Sequence, residues 1–156
     1  MFDRLASVKY AEKWALSFNP AYYNFSNIGG DCTNFVSQCL YAGKIAMAYS
    51  AYGWYYKNLN DRAPAWTGVE EFWNFGIKNN RNVGFKLTEC TYDELELGDI
   101  VQLYNGAKYY HSLIVTKIEG SGYNKIVKVS AHDNPVLNVS VYSYGAYSYR
   151  CAKVSV

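Results

Sequence analysis

The stretch Asp31–Cys39, with the sequence DCTNFVSQC, decides how the chain is organised. Its apolar side chains recur at three- and four-residue steps, and the set is Cys32, Phe35, Val36, Cys39 and the following Leu40. This spacing predicts a helix with one apolar face that ends at Gly43. Asp31 stands directly before the first apolar residue, where an N-cap belongs.

Cys32 is therefore predicted to lie in the first turn of this helix. Unpaired backbone N–H groups and the helix dipole lower the pKa of a thiol there and favour the nucleophilic thiolate. The other three cysteines are expected to act as small buried hydrophobic residues. Cys32 and Cys39 lie about 10 Å apart along such a helix, which is beyond disulfide reach.

Two more helices and a sheet are predicted around this segment. A helical stripe runs from Leu5 to Phe18 and stops at Asn19-Pro20, and a capping box at Thr67–Glu70 starts a third helix. From Gly98 the period changes to two, which predicts strands. Their expected bounds are Ile100 to Tyr104, Tyr109 to Glu119, Lys125 to His132, Leu137 to Tyr142 and Tyr147 to Val154. Helices followed by an antiparallel meander predict an α+β fold, and the absence of repeats or linkers predicts a single domain over residues 1–156.

Composition excludes several classes of protein. The chain has 156 residues, of which 50% are hydrophobic, and its net charge is +2. Such a chain has enough apolar material for a core, and it lacks the basic stripe expected of a nucleic-acid-binding protein. Its longest apolar runs are far shorter than the about 20 residues of a membrane span. The N-terminus shows no signal-peptide pattern.

The chain has two histidines, and both fall in predicted neighbouring strands. If Ser121-Gly122 forms a two-residue hairpin loop, His111 lies directly opposite His132. Their Cβ atoms would then be about 5 Å apart, which would let one imidazole orient the other. A shift of one residue in register would remove this pairing, and either histidine would then be an exposed residue near a strand end.

Zinc is the main alternative use of these residues. Cys32, Cys39, His111 and His132 are zinc-ligand types, but their spacings do not match those of structural zinc sites. We therefore expect no metal and no organic cofactor.

Four segments together resemble the putative amidase domain family, a branch of the papain-like superfamily that includes the NlpC/P60 and CHAP cell-wall hydrolases. They are Asn19–Tyr23, Asp31–Cys39, the turn Gly98–Val101 and the strand His111–Thr116. The resemblance covers nearly the whole chain in the expected order. It implies a papain-like, NlpC/P60-like fold in which N-terminal helices that carry the nucleophile pack on a C-terminal antiparallel sheet that carries the histidine.

The resemblance also implies roles for individual residues. Cys32 matches the nucleophile and His111 the general acid and base. His132 matches the third, orienting position, with Asp133 or Asn134 as alternatives. The oxyanion would be stabilised by the Cys32 backbone N–H and by a side chain from the preceding loop, for which the candidates are Tyr22, Tyr23 and Asn24.

The implied substrate is an amide of bacterial peptidoglycan, either in the stem peptide or at its junction with muramic acid. Trp54 and Trp66, in an aromatic loop, are candidates for the wall of a substrate groove. Two alternatives stay open, an acyltransferase that uses the same dyad and a non-catalytic module that binds the cell wall. Such proteins act in the cell wall or extracellular space, so the chain would be a trimmed domain or would be exported as phage lysins are.

Overall fold

The computed structural model describes residues 1–156 and shows an α+β fold. Four helices are present, and their bounds are Arg4–Trp14 (α1), Cys32–Ala42 (α2), Pro64–Thr67 (α3) and Val69–Lys78 (α4). Two short strands, Tyr56–Asn58 (β1) and Asp61–Arg62 (β2), pair between α2 and α3. No helix is both long and apolar enough to cross a membrane.

Six antiparallel strands form the main sheet, in the order β3-β8-β4-β5-β6-β7. Their bounds are Lys86–Cys90 (β3), Ile100–Tyr104 (β4), Tyr109–Glu119 (β5), Ile126–Ala131 (β6), Val136–Ser140 (β7) and Ser148–Ser155 (β8). The predicted antiparallel meander is wrong for β3 and β8, the first and the last strand of this sheet in chain order. β8 returns to pair with β4 instead of β7, and β3 has only one buried residue, Leu87, so it gave no alternating signal.

Two predictions about helix ends are also wrong. Helix α1 ends at Trp14 instead of Phe18, and Leu5 is exposed. The capping box at Thr67–Glu70 does not form, because Gly68 is the N-cap of α4 and no side chain caps it there. Thr67 instead accepts a hydrogen bond from the Arg62 side chain.

Helix α2 lies at the centre of the molecule. Residues Cys32–Leu40 are all buried, including the polar side chains that the apolar stripe would leave on a solvent face. These polar side chains find partners in neighbouring elements: Ser37 donates to Trp66 O, Asn34 to Tyr23 O, and Gln38 accepts from the Tyr10 hydroxyl. The hydrogen bonds explain how a helix with a polar side can be enclosed on all sides.

The sheet is covered on both faces. The helices pack on one face in a core of 19 buried residues that includes Phe35, Ile100 and Ile114. A second core of 10 buried residues lies on the other face and includes Leu103, Leu113 and Val141. The segments after β3 and β7 cover this second core, which brings Tyr144 over the sheet next to β5.

Asp99 fastens α1 to the sheet. Its fully buried carboxylate accepts from Arg4 Nη1 at 2.7 Å, from Lys153 Nζ at 3.1 Å and from the backbone of Val154 at 2.9 Å. Glu96 pairs with the same two cations but is exposed. The two acids therefore differ mainly in burial.

We expect Asp99→Asn to lower the free energy of unfolding by about 3 kcal/mol, because it replaces the fully buried charge between two partly exposed cations with a neutral group. The control Glu96→Gln should cost less than about 1 kcal/mol, since solvent screens its pairs. Urea denaturation measures both. Equal losses in the two variants would show that Asp99 does not fasten α1 to the sheet.

Candidate active site

The start of α2 is capped by a residue from the other half of the chain. One carboxylate oxygen of Asp133 accepts from the backbone N–H of Asp31 at 2.8 Å, and the other accepts from that of Cys32 at 3.1 Å. Asp31 occupies the N-cap position, as predicted, but its own side chain makes no capping hydrogen bond. Asp133 therefore satisfies the N–H groups of the N-cap residue and of the first helical residue, which the N-cap side chain does not usually reach.

The local backbone is shaped for this contact. Asp133 and Asn134 both have left-handed conformations, with φ of 61° and 60°, which turn the chain back after β6. Gly30 has φ +102°, and a Cβ atom there would lie 2.6 Å from Asp133 Oδ2. Only glycine fits at position 30 while the carboxylate stays on the helix start.

A second set of contacts aligns α2 with β5. Thr33 Oγ1 and Ser112 Oγ lie 2.9 Å apart, and Gln102 Nε2 donates to the same Ser112 hydroxyl at 3.1 Å. β6 pairs with β5 only from Ile114 onward, so Ser112 lies before that pairing begins. Pairing residue 33 with residue 112 places their chain neighbours, Cys32 and His111, next to each other.

Cys32, His111 and Asp133 form one cluster. The Cys32 sulfur, a His111 ring nitrogen and an Asp133 carboxylate oxygen all lie within 4.8 Å of one another. Cys32 is 5% exposed and His111 is 6% exposed, while Asp133 is half-buried. A thiol, an imidazole and a carboxylate at this separation are the components of a cysteine nucleophile with a positioned base.

Burial sets the resting charge of the pair. Desolvation raises the pKa of the Cys32 thiol to about 11, although the N–H groups of Ser112 and Thr33 oppose the shift. Desolvation also lowers the pKa of His111, and the nearby Asp133 carboxylate opposes that shift. The prediction of a lowered thiol pKa is therefore wrong for the resting site, because burial outweighs the helix start.

His132 does not join the cluster, so the predicted pairing with His111 is wrong. Its Nδ1 lies 2.5 Å from Asp31 Oδ2 and its Nε2 lies 2.8 Å from Trp14 O. The ring is buried and stacks on Phe35 at 4.1 Å. With an acceptor at each nitrogen, this imidazole is fixed as a structural partner of Asp31.

The register of the hairpin explains this correction. β5 pairs Glu119 with Ile126, so the connection is longer than the predicted two-residue loop. An irregularity between Val115 and Lys117 then shifts the pairing by one residue, so that Val115 pairs with Val129 and Ile114 with Ser130. Continued to the end of β5, this register places His111 opposite Asp133. The alternative third member Asp133 thus lies in the cluster, while the other alternative, Asn134, is exposed.

The predicted oxyanion donors make other contacts in this structure. The Cys32 N–H donates to Asp133. Tyr22 packs on Trp66 and Tyr56, with ring centroids 6.1 Å and 5.1 Å away. Tyr23 packs on Phe25, and the Asn24 side chain accepts from Ser26.

Trp54 and Trp66 do not line a groove, so this prediction is wrong. Both are fully buried, and their rings lie 4.8 Å apart in the core. Their indole N–H groups donate to Ser37 and Asn34 of α2. The aromatic side chains beside the cluster are Tyr110, which is 40% exposed, and Tyr144, whose ring meets His111 edge-on at 5.7 Å. Sequence reasoning did not single out either tyrosine.

The same residues show whether the predicted zinc-ligand types lie together. The four-residue zinc set is not assembled, because only Cys32 and His111 of that set lie in the cluster. Cys32, His111 and Asp133 are themselves zinc-ligand types, but each Asp133 oxygen already accepts a backbone hydrogen bond. A surface cavity of about 430 Å³ lies elsewhere, lined by residues from 51–53, 64–65 and 71–81.

The chain is similar to one protein family and to two bacterial proteins. The family described as "Putative amidase domain" matches residues 1–153. The uncharacterized protein YhbB of Bacillus subtilis (strain 168) is 31% identical over 139 residues, which are 85% of this chain and 42% of that protein. The uncharacterized protein YjcM of the same organism is 31% identical over 142 residues, 91% of this chain and 31% of that protein.

This chain spans less than half the length of these two relatives. No solved structure matches, so the papain-like assignment stays a prediction. The α+β architecture and the match over nearly all residues agree with the resemblance seen in the sequence. The chain belongs to the putative amidase domain family.

Proposed function

We propose that the protein is a cysteine-dependent amidohydrolase with Cys32 as nucleophile, His111 as general base and acid, and Asp133 as the orienting acid. The observation that carries this proposal is the single cluster of sulfur, imidazole and carboxylate within 4.8 Å at the start of α2. Membership of an amidase family supports the same class of reaction.

The acylation step starts from the neutral thiol and neutral imidazole, since burial favours both uncharged forms. His111 takes the thiol proton as the sulfur attacks the amide carbonyl carbon. The new S–C bond displaces the carbonyl π pair onto oxygen. When that pair returns, the C–N bond breaks and His111 gives its proton to the leaving amine.

Hydrolysis of the thioester reverses these roles. His111 takes a proton from water, the resulting hydroxide attacks the acyl carbon, and the S–C bond breaks. The sulfur recovers its proton from His111 and the carboxylic acid leaves. The Asp133 carboxylate favours the imidazolium that forms in each step, in line with its effect on the pKa of His111.

The proposed substrate is an amide of peptidoglycan, in the stem peptide or at muramic acid, and the proposed site of action is the cell wall or extracellular space. The resemblance to cell-wall hydrolases supports this substrate. The exposed Tyr110 ring next to His111 also supports it, because an amphipathic ring beside the proposed base suits packing against a sugar or a peptide.

We expect kcat/KM to fall on the acid side with a midpoint below pH 6.5, because protonated His111 cannot accept the thiol proton and burial lowers its pKa. On the alkaline side, activity should stay flat from about pH 7 to about pH 9, since the pKa of Cys32 is about 11. Initial rates in a constant-ionic-strength buffer series test this. A decline between pH 7 and pH 9 would mean that the resting pair is a thiolate and an imidazolium.

The test of function is incubation of purified peptidoglycan with the protein, followed by mass analysis of soluble fragments and assay of new amino groups. We expect the wild type and Cys90→Ser to release fragments and Cys32→Ser to release none. Cys90 is a suitable control because it lies outside the cluster. Activity should survive EDTA, because the proposed chemistry needs no metal.

Three other results would contradict the proposal. Amide cleavage only in the presence of an added amine would make the protein an acyltransferase. Retention on the wall polymer without new amino groups in any condition would make it a binding module. Loss of activity in EDTA, restored by zinc, would make the cluster a metal site.

A further inference from the structure

The proposed reaction lacks a donor for its oxyanion. A tetrahedral intermediate needs a preorganised N–H or O–H group near the carbonyl oxygen. The Cys32 N–H, which is the backbone donor expected at the helix start, is bonded to Asp133. A side-chain group that has no partner in the resting site can supply the missing donor.

Tyr144 carries such a group. Its hydroxyl is one of two buried side-chain polar atoms in the chain without a hydrogen-bond partner, and the other is that of Ser7 in α1. Buried hydroxyl groups are nearly always paired, so a free one on a tyrosine that contacts His111 indicates a group kept for a ligand.

The position of Tyr144 fits this use. Its ring meets the His111 ring edge-on, at 5.7 Å and 65°. It ends the 3₁₀ turn Val141–Tyr144, and Gly145, with φ 57°, closes that turn. Burial, together with Tyr110 and Cys32, raises the pKa of Tyr144 to about 12. The phenol therefore keeps its proton at neutral pH and is available as a donor.

We propose that the Tyr144 hydroxyl donates the hydrogen bond that stabilises the oxyanion formed at Cys32. This inference rests on the proposed function and names a catalytic residue for it. It assigns the role to a turn after β7, instead of the loop before α2 that holds Tyr22, Tyr23 and Asn24.

The proposed step leaves the phenol proton on Tyr144. As the S–C bond forms, the carbonyl π pair moves onto oxygen, and the Tyr144 O–H bond points at that oxygen as a donor. When the pair returns and the C–N bond breaks, the hydrogen bond weakens and the hydroxyl is free again. Only His111 transfers a proton.

The test uses the aldehyde N-acetyl-alaninal, which adds the Cys32 S–H across its C=O bond without a leaving group and so reproduces the tetrahedral oxygen. We expect Tyr144→Phe to weaken binding of this aldehyde about 100-fold and to lower kcat by a similar factor. The matched control Tyr22→Phe also loses a hydroxyl, and it should bind the aldehyde as the wild type does.

Two further measurements separate this role from a structural one. The rate of Cys32 alkylation by iodoacetamide should stay within about twofold in Tyr144→Phe, because an oxyanion donor does not act on the free thiol. The urea midpoint should not fall, because the lost hydroxyl has no partner in the folded protein. A lower midpoint with unchanged aldehyde binding would overturn the proposal.

The outcomes also separate the two proposals. If the wild type and Tyr144→Phe bind the aldehyde equally at Cys32, Tyr144 is not the donor and the proposed function stands. If the wild type forms no adduct at Cys32, and Cys32→Ser cleaves peptidoglycan as well as the wild type does, both proposals are overturned.

Discussion

The carboxylate of Asp133 on the backbone amides of Asp31 and Cys32 is the contact on which the site depends. It joins the start of the central helix to the turn after β6, two segments that lie about a hundred residues apart in the chain. The same carboxylate lies beside His111, so one side chain both caps the helix and favours the imidazolium. Asp133 thus serves both the start of α2 and the proposed base, His111.

A second contact joins the same two segments of the chain. His132 binds the side chain of Asp31, while its chain neighbour Asp133 binds the backbone of Asp31. The Asp31 carboxylate also accepts from the Phe25 N–H and the Asn34 side chain, which orders the loop before the helix. The residue that sequence reasoning favoured for catalysis is therefore a buried structural residue one position away from the acid in the cluster.

Local pattern predicted much of the fold. The bounds of β4 and β5 and the start of α2 agree with their predicted positions, because strong alternation or a helical stripe marks each of them. β3 was missed because its single buried residue gives no alternation, and β8 was misplaced because its partners lie far away in the sequence. Burial of Trp54 and Trp66 also depends on long-range packing, which composition alone does not reveal.

The sequence predicted only part of the site, because only some of its residues carry a local signal. Cys32 and His111 carry recognisable local signals, at a helix start and in an alternating strand. The choice between His132 and Asp133 depended on hairpin register, which is set by the longer connection after Glu119 together with the irregularity between Val115 and Lys117. Tyr144 carried no local signal, because its significance lies in an unpaired hydroxyl that only the packed structure reveals.

The central claim is that Asp133 holds the Cys32 sulfur against the His111 imidazole. The most direct measurement is cross-linking with 1,3-dibromoacetone, whose two carbon–bromine bonds are replaced by one bond to sulfur and one to nitrogen across a short three-carbon bridge. Peptide mapping should find Cys32 joined to His111 in the wild type, at a much lower yield in Asp133→Asn. Alkylation of Cys32 with His111 left free in the wild type, or an equal yield of the bridge in both proteins, would contradict the account.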